Sequence, residues 1–250
     1  MTSISRRSFT VGSLALGASA LAARAVNAQT PAAEATPVAN LPIVENTEEF
    51  NVLFIRHAES EVNVAPIPGV ADDGVTYPLT SLGVQQAWAL SQRLGNIDIS
   101  AIYTSTRVRC IQTADAIALP HGLTLNLEPG IVETNFGDLA TIDIEEVYGV
   151  MQAWATGDAD AHSEGGESLN DMLARFLPPV SAAIEQYKDT PRTVVFVAHG
   201  AVLGGCLPQL FSNVSPAWAM QNGFQNTGIV SGAFRDGELV CTSWQGLAPQ

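Results

Sequence analysis

The chemistry in this chain is concentrated where apolar runs end. "NVLFI" stops at Arg56 and His57, and Asn63 follows six residues after the histidine. "AIYTS" leads directly to Arg107 and Arg109, and "TVVFVA" to His199 and Gly200. Two histidines among three arginines suit a metal poorly, because a metal site needs several neutral or anionic donors with no guanidinium crowding them. A guanidinium instead offers a planar fork of donors that matches phosphate oxygens. Only seven arginines lie beyond residue 28, so three of them at two run ends is a concentration that surface solvation does not explain. The cation beside His57 points to a bound anion.

Such side chains need elements to deliver them to one place. "NVLFI", "AIYTS" and the uninterrupted β-branched run "TVVFVAH" predict strands, the last buried on both faces as central strands of parallel sheets are. Helical spacing of apolar residues is present in "LTSLGVQQAWALSQRL", with Thr80 as its N-cap, and in "VRCIQTADAIA", "DIEEVYGVMQAWA" and "AVLGGCLPQLF". "SLNDMLARFLPPVSAAIEQY" predicts a helix kinked or broken at Pro178 and Pro179. "GIVSGAFRDGELVCTSW" predicts two strands around an Asp236-Gly237 turn. Strands alternating with helices give an α/β fold, a three-layer α/β/α sandwich whose central sheet is mostly parallel with an antiparallel edge. Ligands of such sheets bind beyond the carboxyl ends of the strands, where Arg56, His57, Arg107, Arg109 and His199 fall.

The remaining residues read more plainly. Arg93, Arg175, Arg192 and Arg235 have no motif around them and read as surface cations. His121 and His162 read as loop residues, His162 in the stretch "GDADAHSEGG" that could border a pocket. Trp88, Trp154 and Trp218 read as core side chains.

Composition sets outer limits. Arg6 and Arg7 precede the apolar run from Phe9 to Ala23, which ends in small residues near Ala28. This order predicts a twin-arginine export signal over residues 1–28, delivering the protein to the periplasm or the extracellular space. The run is shorter than the ~20 residues of a spanning helix, so no stable membrane insertion is expected once the signal is removed. An Ala-, Pro- and Thr-rich linker over 29–48 precedes a single domain over 49–250. Without residues 1–28 the cations fall from 11 to eight against 25 acids, and the net charge moves from −14 to −17. A surface so acidic excludes nucleic acid and anionic lipid as partners. Cys110, Cys206 and Cys241 fit neither a metal spacing nor a disulfide framework, although one pair could oxidise after export. Nothing in the sequence sets the oligomeric state.

In order along the chain, "RHAESEVN", "STRVRCIQTA", "ETNFGDL", "GGES" and "VAHG" resemble the histidine phosphatase superfamily, with its phosphoglycerate mutase-like fold, over about residues 50 to 235. The resemblance implies His57 as a nucleophile that becomes phosphohistidine, Glu133 as the acid that protonates the leaving oxygen, and His199 as the second active-site histidine. It implies Arg56, Asn63 and Arg109 as phosphate ligands, with Arg107 either an auxiliary or a solvated helix-start residue. "GGES", around Glu167 and Ser168, matches an element near the pocket and not a chemical group. Two positions depart from the family pattern: Ala58 replaces the usual glycine after the nucleophile, and "GDL" continues as Ala140-Thr141. The implied activity is a metal-independent phosphatase without cofactor, acting on a small-molecule phosphomonoester. A phosphoglycerate mutase is the alternative, disfavoured by export away from cytoplasmic glycolytic intermediates. A non-catalytic phospho-ligand binder would have dispensed with His57 or Glu133.

Overall fold

The strands are β1 (Asn51–Arg56), β2 (Ile99–Thr104), β3 (Leu125–Leu127), β4 (Thr193–Ala198), β5 (Ile229–Arg235) and β6 (Glu238–Trp244). They make one sheet in the order β3-β2-β4-β1-β5-β6. The structure is a computed structural model and describes residues 49–64, 75–138 and 143–249. The export signal, the linker, most of "VAPIPGVADDG" and the Ala140-Thr141 departure lie outside the described residues. β3, β2, β4 and β1 run parallel, while β5 is antiparallel to both β1 and β6. The edge hairpin turns at Asp236 and Gly237, both at positive φ (51° and 87°), the conformation of a tight two-residue turn whose twist matches its strands.

Burial along β1 and β4 shows why the sheet has two helical layers. Val52, Phe54, Val194 and Phe196 face one side, where they pack with Phe176, Val180 and Leu203. Leu53, Ile55, Val195 and Val197 face the other, with Leu90, Leu94, Ala114 and Ile117. The second set comes from α2 (Ser81–Leu94) and α3 (Val108–His121). The first comes from α5 (Leu169–Tyr187) and α6 (Gly200–Leu210), extended by α4 (Ile144–Ala155) and α7 (Pro216–Asn222). Every β4 residue is buried, as the uninterrupted β-branched run requires. α1 (Glu61–Val64) is a single turn after β1.

Thr80 caps α2 by accepting from the Gly83 N–H, an arrangement worth about 1 kcal/mol. α5 corrects the expectation of a break: it continues through Pro178 and Pro179 to Tyr187. Its buried face, Met172, Phe176, Val180 and Ala183, holds the helix together through packing despite the donors that the two prolines remove. Trp88 is a second correction. It is 65% exposed, whereas Trp154 is 4% exposed and Trp218 packs edge-on against Trp244.

Candidate active site

Three neighbouring parallel strands end together. β1 ends at Arg56, β4 at Ala198 and β2 at Thr104, and the backbone beyond them is tied across the gap. His57 N–H donates to the Ala198 carbonyl at 3.0 Å, and Ser105 N–H to the Val197 carbonyl at 3.0 Å. Two helices start at these ends: Arg107 is the N-cap of α3 and His199 the N-cap of α6, neither with a side-chain cap. Both helices therefore aim N-terminal N–H groups at the crevice, the polarity an anion prefers.

His57 is 2% exposed. Its Nδ1 lies 2.8 Å from the Ala58 carbonyl, which only accepts, so Nδ1 carries the hydrogen. Burial pushes its pKa down to about 3, helped by the charges of Arg109 and Arg56. The ring is therefore neutral at ordinary pH, with its lone pair on Nε2. His199 is fully buried, with its ring centroid 5.2 Å from that of His57. It too is held well below its usual value, by burial first and then by Arg109, His57, Arg107 and Arg56. Its Nε2 is 2.8 Å from Ser105 Oγ, and Cys110 Sγ sits 3.4 Å away.

The arginines surround this pair. Arg56 donates through Nη1 to the Phe224 carbonyl at 2.6 Å, while its Nε is buried without a hydrogen-bond partner. A Cβ on Gly200 would sit 3.3 Å from that Nε, so glycine after His199 lets the guanidinium lie close against the start of α6. Arg109 is 3% exposed. Thr113 Oγ1 donates to the Arg109 carbonyl at 2.7 Å and accepts from the Ala58 N–H at 3.0 Å. One hydroxyl thus ties the turn after His57 to the helix that carries Arg109. Arg107 is half-buried and contributes to the field at His199.

Glu133 reaches the same crevice from the loop after the single 3-10 turn Pro129–Ile131. Its Oε1 accepts from Val202 N–H (2.9 Å) and Thr134 N–H (2.9 Å), and its Oε2 from Ala201 N–H (3.3 Å). The carboxylate is therefore seated on the first turn of α6, beside Arg56, whose charge it supports. Asn63 is reached indirectly. Asn226 Nδ2 donates both to the His57 carbonyl (3.0 Å) and to Asn63 Oδ1 (3.3 Å). His57, His199, Glu133, Arg56 and Arg109 thus gather at one crevice, Arg107 borders it, and Asn63 is linked through Asn226.

The chain is similar to known proteins in the same terms. The profile described as "Histidine phosphatase superfamily (branch 1)" matches residues 52–246. The chain belongs to the histidine phosphatase superfamily. Within it, a probable phosphoglycerate mutase, GpmB, of Escherichia coli O1:K1 is 31% identical over 177 residues, 68% of this chain and 78% of that protein. Phosphoserine phosphatase from Entamoeba histolytica, solved with 3-phosphoglyceric acid, is 27% identical with a TM-score of 0.64, covering 79% of this chain and 100% of that one. A mycobacterial glucosyl-3-phosphoglycerate phosphatase gives 24% and 0.66, covering 79% and 99%. The superfamily match together with the phosphatases among its structural neighbours supports an enzyme of the phosphatase type.

Four residues of the site and its supports had no role assigned from sequence, although Glu59 and Ser105 fall inside the motifs "RHAESEVN" and "STRVRCIQTA". The role of Ser105, the first residue of "STRVRCIQTA", as a partner of His199 and that of Asn226, a small polar residue in an irregular stretch, are visible only once their neighbours are placed. Glu59, two residues after the motif histidine, secures the loop: its Oε1 accepts from Thr80 Oγ1 at 2.7 Å and its N–H donates to Gln86 Oε1 at 2.8 Å. Arg175 corrects its reading as a surface cation. It is half-buried and paired bidentately with Glu167, through Nε at 2.9 Å and Nη2 at 2.6 Å. It also donates to the carbonyls of Gly130 (2.8 Å), Val132 (2.9 Å) and Glu133 (3.3 Å). Glu167 in turn accepts from Asn135 N–H at 2.8 Å, and Ser168 forms a capping box with Asp171. "GGES" is therefore the brace of the Glu133 loop. His121 is the last residue of α3 and not part of a loop.

Proposed function

We propose that the protein hydrolyses phosphomonoesters through a phosphohistidine on His57, without a metal. The single observation that carries this is the buried His57 ring, whose Nδ1 lies 2.8 Å from the Ala58 carbonyl, an acceptor, so that Nε2 is left as the nucleophile among arginines at the strand ends. Nε2 attacks phosphorus as the bond from phosphorus to the alcohol oxygen breaks. Arg56, Arg109, Asn63 and His199 hold the equatorial oxygens, where the charge of phosphoryl transfer is spread. Phosphate arriving beside Glu133 opposes its negative charge, and a proton shared between them resolves the repulsion. Glu133 gives that proton to the leaving oxygen, then takes one from the water that attacks the phosphohistidine, returning His57 to its neutral form.

The deciding experiment is a base quench during turnover in EDTA. Wild type is expected to retain a base-stable, acid-labile phosphoryl group, and His57→Ala to retain none and to turn over no substrate. Undiminished turnover in His57→Ala refutes the covalent route, and loss of activity in EDTA restored by Mg²⁺ or Zn²⁺ refutes metal independence. Export by the twin-arginine route is proposed on Arg6 and Arg7 alone. Changing both to lysine is expected to leave the precursor inside the cell, and delivery at the normal level counts against that route.

A further inference from the structure

A cavity of about 460 Å³ opens beside Arg56 and Glu133, between α4, α6 and α7. Its volume falls in the range of small-molecule pockets. Its walls are mostly apolar, among them Ile144, Val147 and Met151 of α4, Met220 of α7 and Phe224, with Tyr148 and Gln209 adding neutral polar groups. Among the described residues, Arg56 and Glu133 are the only charged ones lining it, and both belong to the phosphate end.

Cations elsewhere in the domain are committed. Arg175 is held by Glu167 and three carbonyls. Lys188 pairs with Glu185, Arg192 with Asp98, and Arg235 with Glu49. Arg93 lies on α2, in the layer against the opposite face of the sheet. Arg107 and Arg109 stand with Arg56 around the histidines. Residues 65–74 and 139–142, outside the described ones, contain no Lys, Arg or His. A carboxylate on the alcohol part of a substrate would enter this cavity with no counter-charge, and an unpaired charge brought out of water is costly.

Resting on the phosphatase reading above, we infer that this cavity takes the alcohol part of the substrate and that this part is apolar and uncharged, an extended alkyl or aryl group. Each methylene buried there raises kcat/KM about two- to fourfold until the cavity is full, since binding energy away from the reacting atoms adds to transition-state binding.

Two measurements test it. First, kcat/KM is measured for methyl, butyl, hexyl and octyl phosphates, naphthyl phosphate, phosphoserine and 3-phosphoglycerate. A rise of at least 30-fold from methyl to hexyl, with the two carboxylate-bearing esters below hexyl phosphate, is expected. A flat alkyl series, or phosphoserine or 3-phosphoglycerate as the preferred substrate, overturns the inference and leaves the phosphatase reading standing. Gly204 lines the cavity, and a Cβ there meets nothing within 4 Å, so Gly204→Leu starts its side chain in open space and takes up cavity volume. It should lower the ratio of octyl to methyl kcat/KM at least tenfold, and an unchanged ratio counts against the assignment. Second, calorimetric titration of wild type with octylphosphonate and methylphosphonate reads binding without hydrolysis. Tighter octyl binding with a more negative heat-capacity change supports the cavity even where no ester is hydrolysed, and equal binding overturns it.

Discussion

Arg175→Met tests the geometry that no motif announced. The guanidinium makes two bonds to Glu167 and reaches three carbonyls of residues 130–133, and the two side chains are only 23% and 16% exposed. Removing one partner of a fully buried pair costs about 3–5 kcal/mol because the other charge is stranded. Here about a fifth of each side chain still meets water, so we expect about 2–4 kcal/mol, read as a lower urea midpoint. In a domain of this size, that corresponds to a fall in Tm of about 4–16 °C. The loop carrying Glu133 loses its anchor at the same time. Turnover of an alkyl phosphate, which needs a proton on its leaving oxygen, should therefore fall at least tenfold further than turnover of nitrophenyl phosphate. A merely structural arginine would lower both equally. Arg175→Met combined with Glu167→Leu should lose less stability than the two single changes added, since neither charge is left alone. Stability within about 0.5 kcal/mol of wild type, together with unchanged leaving-group dependence, would refute the clamp.

Glu133→Gln should slow alkyl phosphate hydrolysis by about 10²- to 10⁴-fold while sparing nitrophenyl phosphate; equal losses on both substrates would assign Glu133 to positioning alone. The histidines also make stability depend on pH. His57 sits at about 3 against 6.5 when unfolded, and His199 is shifted the same way, so the folded state binds fewer protons than the unfolded one in this window. The stability is whole above pH 6.5 and falls as the pH drops towards 3, by roughly 2 kcal/mol for His57 between pH 7 and 5. In denaturant titrations His57→Gln should show a correspondingly shallower decline over that interval, and an identical slope would show that His57 is not held neutral by the fold.

The strand ends were legible because two independent patterns coincide there. Apolar β-branched runs mark buried strands, and a cation or histidine directly after such a run has no packing reason to be present. Arg56, His57 and His199 stand out on that ground, as does the parallel centre of the sheet that brings them together. Asn226 was not legible, and Ser105 was legible only as part of a motif and not by its role, because a small polar residue in a loop has the same appearance whether it braces a histidine or meets water. The break offered at Pro178 and Pro179 does not occur, for a related reason. Local rules register the lost donors but not the Phe176, Val180 and Ala183 face that holds α5 continuous.

Arg175 fails differently, and the failure follows from the charge balance that exposed the site. With eight cations against 25 acids beyond residue 28, a cation in this domain either meets an incoming anion or neutralises a resident one. Position after a strand identifies the first kind. The second kind sits at an ordinary spacing on an amphipathic helix, eight residues from Glu167, and only the fold shows that the two share one face with the Glu133 loop. The sequence therefore reveals the cluster of cations at the strand ends more readily than it reveals what holds Glu133 in place. This makes the alkyl-to-nitrophenyl ratio in Arg175→Met the informative quantity: it responds to the position of Glu133 and leaves His57, His199, Arg56 and Arg109 unchanged.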